Sequence, residues 1–215
     1  MRSDVDYTLY LVTDRALMST KTLEEAVQQA INGGCTMIQL REKEVSSLEF
    51  YQTALSIKAI TEKHKVPLLI NDRVDIALAV GADGVHIGQS DMPANVVRKL
   101  VGSAMLLGVS VSTVQEAIRA VKDGADYIGV GAMYPTDSKT DTKLVSMNEL
   151  QRIRNAVSIP IVVIGGVNKK TVPDFAGTGI DGLAVISAVI SQEDITAASK
   201  DLIKLFRDSN QAKSC

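Results

Sequence analysis

The chain has 215 residues and a formal net charge of −2, with 46% hydrophobic and 22% charged residues. This balance argues against a nucleic-acid-binding protein, for which a basic surplus is expected. Two cysteines, Cys35 and Cys215, are too few for a disulfide framework, so the sequence predicts a cytoplasmic protein in a reducing environment. No apolar run reaches the roughly 20 residues of a membrane span, and the N-terminal run is too short for a signal peptide.

Short aliphatic runs alternate along the chain with longer segments that carry apolar residues at helical spacing. The aliphatic runs are continuous, which indicates strands buried on both faces of a parallel sheet covered by helices. Strands are predicted near 7–13, 36–41, 66–71, 84–88, 105–110, 127–131, 161–165 and 182–186. Helices are predicted near 22–32, 46–64, 73–80, 94–101, 113–123, 146–156, 169–177 and 194–207. Apolar stripes predict the buried faces of the fifth helix (Val114, Ala117, Ile118, Val121) and of the last (Ile195, Ala198, Leu202, Leu205).

Four similar segments join a helix to the next strand: NGGCTMIQL, VGADGVHIG, DGADYIGVG and TGIDGLAVI. Their glycines suit the left-handed position that follows a helix. Eight strand–helix units in about 200 residues predict an α/β protein, a single-domain (β/α)₈ TIM barrel over 1–215. An open, doubly wound sheet is the alternative. Residues 209–215 are expected to form a frayed tail.

Asp72 and Asp91 follow consecutive predicted strands, at the barrel face where active sites lie. Neighbouring strands are about 5 Å apart, so two carboxylates there repel each other unless a cation lies between them. Mg²⁺ binds a few carboxylates and completes its shell with water and phosphate oxygens. The alternative is that each aspartate caps the following helix, most readily Asp91, which precedes Met92-Pro93.

The second strand ends in IQLREK, where alternation places Gln39, Arg41 and Lys43 on one face. Helices cover the outside of a barrel, so this polar face is expected to point inward as a row of donors for an anion. The loop after the sixth strand carries Thr136, Ser138 and Lys139. These hydroxyls and this ammonium suit a phosphate or a carboxylate, or else belong to an ordinary surface loop.

The loops after the seventh and eighth strands predict a second anion site. Gly165 and Gly166 allow close backbone approach, and Ser187 is placed to begin a short helix. The first group of residues would suit a magnesium diphosphate and the second a monophosphate. Because diphosphate is a leaving group, a substitution that joins two phosphorylated substrates follows as a hypothesis.

From LYLVTDR to VISAVI the chain resembles the thiamine phosphate synthase family. The motifs TDR, QLREK, NDR, GVHIGQSD, GVSVST, YPTDSKTD and IGGV occur in the family's order. The resemblance implies a transferase of thiamine biosynthesis that condenses hydroxymethylpyrimidine diphosphate with a thiazole phosphate, or with its carboxylated precursor. It also implies Mg²⁺ as the cofactor and small-molecule phosphates as the partners, without nucleic acid or membrane.

The resemblance further implies a role for each matched residue. Asp72 and Asp91 would hold Mg²⁺. Contacts to the pyrimidine diphosphate would come from Gln39, Arg41, Lys43, Asn71, Ser110 and Lys139, of which Arg41, Lys43, Ser110 and Lys139 are expected to be catalytic. Contacts to the thiazole phosphate would come from Thr136, Ser138, Gly165, Gly166, Ile186 and Ser187. The chain has Ser138 where the family usually has threonine, which keeps the hydroxyl.

The two histidines, Cys35 and two rival functions complete the expectations from the sequence. His86 is predicted to be a hydrogen-bonded core residue, His64 a surface residue and Cys35 a small buried group. A thiazole tautomerase of the same family would need the monophosphate site and a proton-transfer residue, but not the aspartate pair with the complete QLREK row. A non-catalytic phosphate binder on this scaffold should have lost Asp72, Asp91 or Lys43.

Overall fold

The computed structural model describes residues 5–136 and 143–211 as a closed barrel of eight parallel strands. Strand order follows the chain, and the last strand pairs with the first, which confirms the TIM barrel and rules out the open sheet. The strands are β1 Leu9–Val12, β2 Met37–Leu40, β3 Leu68–Asn71, β4 Gly84–Ile87, β5 Leu106–Val111, β6 Tyr127–Val130, β7 Ile161–Val163 and β8 Gly182–Val185.

Helices follow the strands and form the outer layer. They are α1 Leu23–Asn32, α2 Ser47–His64, α3 Val74–Val80, α4 Ala94–Val101, α5 Val114–Lys122, α6 Met147–Ala156, α7 Ser187–Ile190 and α8 Ile195–Gln211. Hydroxyl side chains of Thr22, Ser46, Thr113 and Ser146 cap α1, α2, α5 and α6 by accepting a hydrogen bond from a first-turn N–H. Within the described ranges, no helix combines the length and the apolar character needed to cross a membrane.

Three details differ from the sequence-based expectations. The α-helix predicted at 169–177 is a short 3₁₀ helix, Val172–Phe175, because Pro173 lies within it and Gly177 adopts a positive φ of 74° just beyond it. Helix α8 includes residues 209–211, which the sequence predicts to be part of the tail, whereas 212–215 lie outside the described residues. The stripe predicted for α5 is wrong at Ile118 and Val121, which are exposed, since the helix packs through two alanines.

Apolar side chains fill two separate regions. The larger lies between the strands and the helices and contains most of the valine, leucine and isoleucine side chains. The smaller fills the barrel interior and includes Tyr7, Tyr10, Met37, Leu69, Leu106, Tyr127, Val162 and Ala184. Side chains nearer the carboxyl ends of the strands therefore rest on a packed floor.

The four repeated segments build the same contact at the opposite, amino-terminal end of the barrel. The residue before each even-numbered strand bonds the preceding odd-numbered strand twice, through its backbone N–H and through a side-chain oxygen; we call this contact a latch. The latches join Thr36 to Leu9, Asp83 to Leu68, Asp126 to Leu107 and Asp181 to Ile161. One glycine at the helix end of each segment, at 34, 81, 124 and 179, has a positive φ, as predicted.

Candidate active site

A cavity of about 770 Å³ opens at the carboxyl ends of the strands. Every predicted site residue that the structure describes lines it, whereas Ser138 and Lys139 lie outside the described residues. The lining therefore includes Gln39, Arg41, Lys43, Asn71, Asp72, Asp91, Ser110, Thr136, Gly165, Gly166, Ile186 and Ser187. The structure thus brings these side chains and backbone segments together, while the ligand of each stays a prediction.

Asp72 is held at the cavity wall by its own backbone conformation and by its neighbours. Its φ of 61° is left-handed, a conformation that aspartate tolerates better than most residues. Its N–H donates to the His86 carbonyl at 2.8 Å, and Asn71 Nδ2 donates to its Oδ1 at 2.5 Å. Its other carboxylate oxygen contacts Lys43 Nζ. These contacts fix the position of both the carboxylate and the ammonium.

Asp91 lies in the loop after β4, where its Oδ2 accepts a hydrogen bond from the Gly88 N–H at 2.7 Å. The helix-capping alternative is wrong for both aspartates. Helix α4 begins after Pro93 and α3 after Arg73, and neither has a side-chain capping hydrogen bond. Neither carboxylate therefore serves as a helix cap, and both residues line the cavity.

The electrostatics of this pair suit a cation. Burial raises the pKa of Asp72, and the nearby Asp91 carboxylate raises it further, whereas Lys43 lowers it. A carboxylate whose charge is destabilised in this way gains from a bound metal ion. In residues 5–136 and 143–211 no group of three or more His, Cys, Asp or Glu side chains could hold a metal. A metal here would therefore depend on water and on a ligand phosphate for its other oxygens, as Mg²⁺ does.

The TDR motif positions the REK motif of the next loop. Thr13 Oγ1 accepts a hydrogen bond from the Arg41 N–H at 3.0 Å, and Asp14 pairs with the Arg41 guanidinium at 3.3 Å. Arg15 pairs with Glu42 at 2.6 Å. Three consecutive residues of the first loop thereby contact two consecutive residues of the second, and Arg41 is held at the cavity with its charge already partly balanced.

Across the barrel mouth, the loops after β7 and β8 bring backbone close to the cavity. Gly165 and Gly166 have φ of 89° and 66°, and a Cβ at Gly166 would lie 2.5 Å from Tyr134 Cβ, so only glycine fits. Asn168 Nδ2 donates to the Gly166 carbonyl at 2.9 Å, which fixes the turn. Ser187 begins α7, as predicted, and borders the same part of the cavity.

The histidines and Cys35 lie as expected. His86 is 8% exposed and hydrogen-bonded on both ring nitrogens, to Tyr127 and Ser110, at 2.8 Å each. It also lines the cavity, so it is both a core residue and part of the site. His64 is exposed. Cys35 is buried.

Sequence reasoning missed several residues that line the cavity: Tyr10, Gln89, Lys143, Asn168 and Gln192. It also missed Tyr127, which bonds both Tyr10 and His86 beneath the cavity. A signal for the tyrosines was present, because Tyr10 and Tyr127 are polar-tipped residues in otherwise aliphatic strands. The remaining residues lie in loops, where nothing in the sequence distinguishes an inward side chain from an outward one.

Comparison with known proteins gives consistent matches over nearly the whole chain. A family described as "Thiamine monophosphate synthase" matches residues 9–189. "Thiamine-phosphate synthase" of Clostridium beijerinckii is 65% identical over 206 residues, which cover 96% of this chain and 99% of that protein. The solved structure of a thiamine phosphate pyrophosphorylase from Pyrococcus furiosus is 38% identical, with a TM-score of 0.87 over 95% of this chain and 98% of that one. A 3-hexulose-6-phosphate synthase, 18% identical with a TM-score of 0.67 over 92% of this chain and 99% of that one, shares the fold alone.

Proposed function

Because this chain belongs to the thiamine monophosphate synthase family, we propose that it is the transferase that makes thiamine phosphate. Its substrates would be 4-amino-2-methyl-5-(diphosphooxymethyl)pyrimidine and 4-methyl-5-(2-phosphooxyethyl)thiazole, or the carboxylated precursor of the thiazole. Its products would be thiamine phosphate and diphosphate, together with CO₂ from the carboxylated precursor.

The observation that carries the proposal is the pairing of two groups suited to anions within one cavity. Arg41, Lys43 and the two aspartates come from the loops after β2, β3 and β4, and they suit a diphosphate with its metal. The glycine pair and Ser187 come from the loops after β7 and β8, on the other side of the ring of strands. Two phosphorylated substrates bound in this way would meet between the groups.

Asp72 and Asp91 are the residues that would hold Mg²⁺, through carboxylate oxygens and with the diphosphate completing the shell. When bound, the ion would neutralise charge on the diphosphate and so make it a better leaving group. The raised pKa of the partly buried Asp72, to which the Asp91 carboxylate contributes, supports this assignment. Asn71 would hold the Asp72 carboxylate in position through the amide contact at 2.5 Å.

The proposed reaction requires stabilisation of the charge on the departing diphosphate and does not require an acid–base pair. The bond between the pyrimidine methylene and the diphosphate oxygen breaks, and its electron pair leaves with the diphosphate. The aminopyrimidine stabilises the resulting cation, and the lone pair of the thiazole nitrogen then forms the new C–N bond. Arg41, Lys43 and Lys139 would stabilise the charge that grows on the diphosphate. No general base is needed, because the attacking nitrogen carries no proton.

A direct test mixes the purified protein with the pyrimidine diphosphate, the thiazole phosphate and Mg²⁺, and follows diphosphate and thiamine phosphate together. We expect equal rates of release and condensation, both of which stop when a chelator is added and resume with excess Mg²⁺. Failure of both products to appear, with thiazole phosphate still bound, would refute the synthase proposal. The tautomerase or the non-catalytic binder would then be the better interpretation.

Variants of one ion pair show whether the proposed site carries the activity. Asp72→Asn and Lys43→Met should each lower kcat/KM at least about 100-fold, because each removes a charge from the diphosphate side of the cavity. The matched controls are Asp201→Asn and Lys169→Met, which break an exposed lysine–aspartate pair at 2.6 Å that does not line the cavity. If both pairs of variants kept full activity, the diphosphate site would have to be assigned elsewhere.

A further inference from the structure

A row of five hydrogen-bonded side chains crosses the floor of the cavity, and we call it the floor chain. Gln39 Nε2 donates to the Tyr10 hydroxyl at 2.5 Å, and the Tyr10 and Tyr127 hydroxyls are 2.8 Å apart. The Tyr127 hydroxyl is 2.8 Å from His86 Nδ1, and His86 Nε2 is 2.8 Å from Ser110 Oγ. The two end residues, Gln39 and Ser110, both line the cavity. The floor chain therefore connects two ligand-facing groups on β2 and β5.

The middle of the floor chain is shut off from solvent. Tyr10 is 1% exposed and Tyr127 is 0% exposed, within the apolar interior of the barrel. A hydroxyl in such surroundings is costly unless it is hydrogen-bonded. Gly108 leaves the necessary room, because a Cβ there would lie 2.2 Å from Tyr127 Cζ. Burial raises the pKa of both tyrosines, so each stays neutral and contributes one proton.

Counting those protons gives the floor chain a direction. Gln39 donates to Tyr10, so the proton of the Tyr10 hydroxyl is left to bond the Tyr127 oxygen. The Tyr127 hydroxyl then donates a hydrogen bond to Nδ1 of His86. A neutral imidazole whose Nδ1 accepts carries its one proton on Nε2. Nε2 donates to the Ser110 oxygen, so the Ser110 hydroxyl proton remains for a ligand. At the other end, the Gln39 carbonyl oxygen remains as an acceptor.

We infer that Tyr10 and Tyr127 are positioning residues that set the hydrogen-bond polarity of the cavity floor, with an acceptor at Gln39 and a donor at Ser110. This inference rests on the proposed function and deepens it. An aminopyrimidine has an amino donor and ring-nitrogen acceptors on its rim, which match that polarity. Its 4-oxo analogue has a carbonyl acceptor in place of the amino donor, and a ring N–H, which do not match. The floor chain thereby selects the amino form of the pyrimidine over the oxo form.

The first test reads the direction of the floor chain in the wild-type protein. The sequence contains only two histidines, so labelling with ¹⁵N-histidine and recording long-range ¹H–¹⁵N spectra gives two rings to distinguish. A His64→Gln variant assigns them. We expect neutral His86 with its proton on Nε2. A proton on Nδ1 would mean that the polarity is reversed and would overturn the inference, whatever the activity of the protein.

The second test measures selectivity. The ratio of kcat/KM for the amino and oxo forms of the pyrimidine diphosphate is taken in each preparation, so that the fraction of active protein cancels. Tyr127→Phe and Tyr10→Phe should each lower this ratio about tenfold or more, with the KM for thiazole phosphate unchanged. The double variant should lower it no further than either single variant, because the two hydroxyls act in series.

The matched control is Tyr7→Phe, a buried tyrosine whose ring centroid lies 5.2 Å from that of Tyr127 and whose hydroxyl is not part of the floor chain. Its ratio should equal that of the wild type. An unchanged ratio in both Tyr10→Phe and Tyr127→Phe would overturn the inference and leave the proposed function intact. If the wild type turned over neither pyrimidine, the proposed function would fail, and the His86 spectrum would still decide the direction of the floor chain.

Discussion

Adding one methyl group at Gly108 should destabilise the barrel far more than adding one at Gly129, although both glycines lie beside His86 inside the barrel. A Cβ at Gly108 would lie 2.2 Å from Tyr127 Cζ and 2.4 Å from His86 Nδ1, whereas a Cβ at Gly129 would lie 3.3 Å from His86 Cε1. Both glycines have φ outside the left-handed region, so backbone strain does not distinguish Gly108→Ala from Gly129→Ala.

The size of the effect follows from what must move. At Gly108 the colliding groups are a fully buried tyrosine ring and a buried imidazole, and overpacking of this kind costs about 1–3 kcal/mol. Separating the two rings also breaks their hydrogen bond, which adds about 1–3 kcal/mol for a buried hydroxyl left without its partner. We therefore expect Gly108→Ala to lower the free energy of unfolding by about 2–6 kcal/mol, and Gly129→Ala by about 1 kcal/mol or less.

Urea unfolding of the two variants and of the wild type, followed by circular dichroism, measures the difference. A shift of the Gly108→Ala midpoint well below that of Gly129→Ala is the expected result. Equal midpoints for the two variants would show that the floor of the barrel accommodates the methyl group, and the packing argument for the floor chain would be refuted.

Three further predictions concern other parts of the molecule. Asp126→Ala removes a latch and an ion pair, so it should lower the free energy of unfolding by about 2–3 kcal/mol without changing kcat. The control is Asp123→Ala, which loses an ion pair at 3.5 Å with an exposed arginine. Equal losses of stability in the two variants would argue against the latch. Asp14→Ala should raise the KM for the pyrimidine diphosphate about 3- to 10-fold, because Arg41 loses its ion-pair partner. The KM for thiazole phosphate is the internal reference. An unchanged KM for the pyrimidine diphosphate would show that Asp14 does not position Arg41. Burial raises the pKa of the Cys35 thiol to about 11, so in a variant lacking the C-terminal cysteine a thiol reagent at pH 8 should react only after unfolding, and rapid labelling of the folded protein would disprove this.

The fold was predictable because a parallel barrel repeats one signal. The sequence predicts eight aliphatic strands, eight helices and four junction glycines, so an error in any one element does not change the conclusion. The failures were local. The segment 169–177 has apolar spacing, but Pro173 and Gly177 limit it to a 3₁₀ turn. Ile118 and Val121 lie on the outer face of α5, whose buried face is formed by the small residues Ala117 and Ala120.

The candidate site was predictable wherever a residue lies at the carboxyl end of a strand, because the barrel topology then places its side chain. Asp72, Asp91 and Gln39 follow or end strands whose carboxyl ends must meet, so their proximity follows from topology alone. The contacts between loops could not be predicted in this way. Nothing in the spacing of TDR and REK shows that Asp14 pairs with Arg41. The hydroxyls of Tyr10 and Tyr127 mark these residues as unusual in aliphatic strands, but the sequence does not show which side chains they contact.

The latches bear on how this barrel can change over evolutionary time. They lie at the amino-terminal end of the strands, so the contacts that fasten even-numbered strands to odd-numbered ones are remote from the loops that face substrate. Substitutions and insertions in those loops can alter which molecule is bound without breaking the latches between strands. Each latch also joins two strands that are consecutive in the chain, so every quarter of the barrel carries its own fastening. A duplicated quarter would therefore bring its fastening with it, and loops could diversify on one end of the molecule while the other end stayed constant.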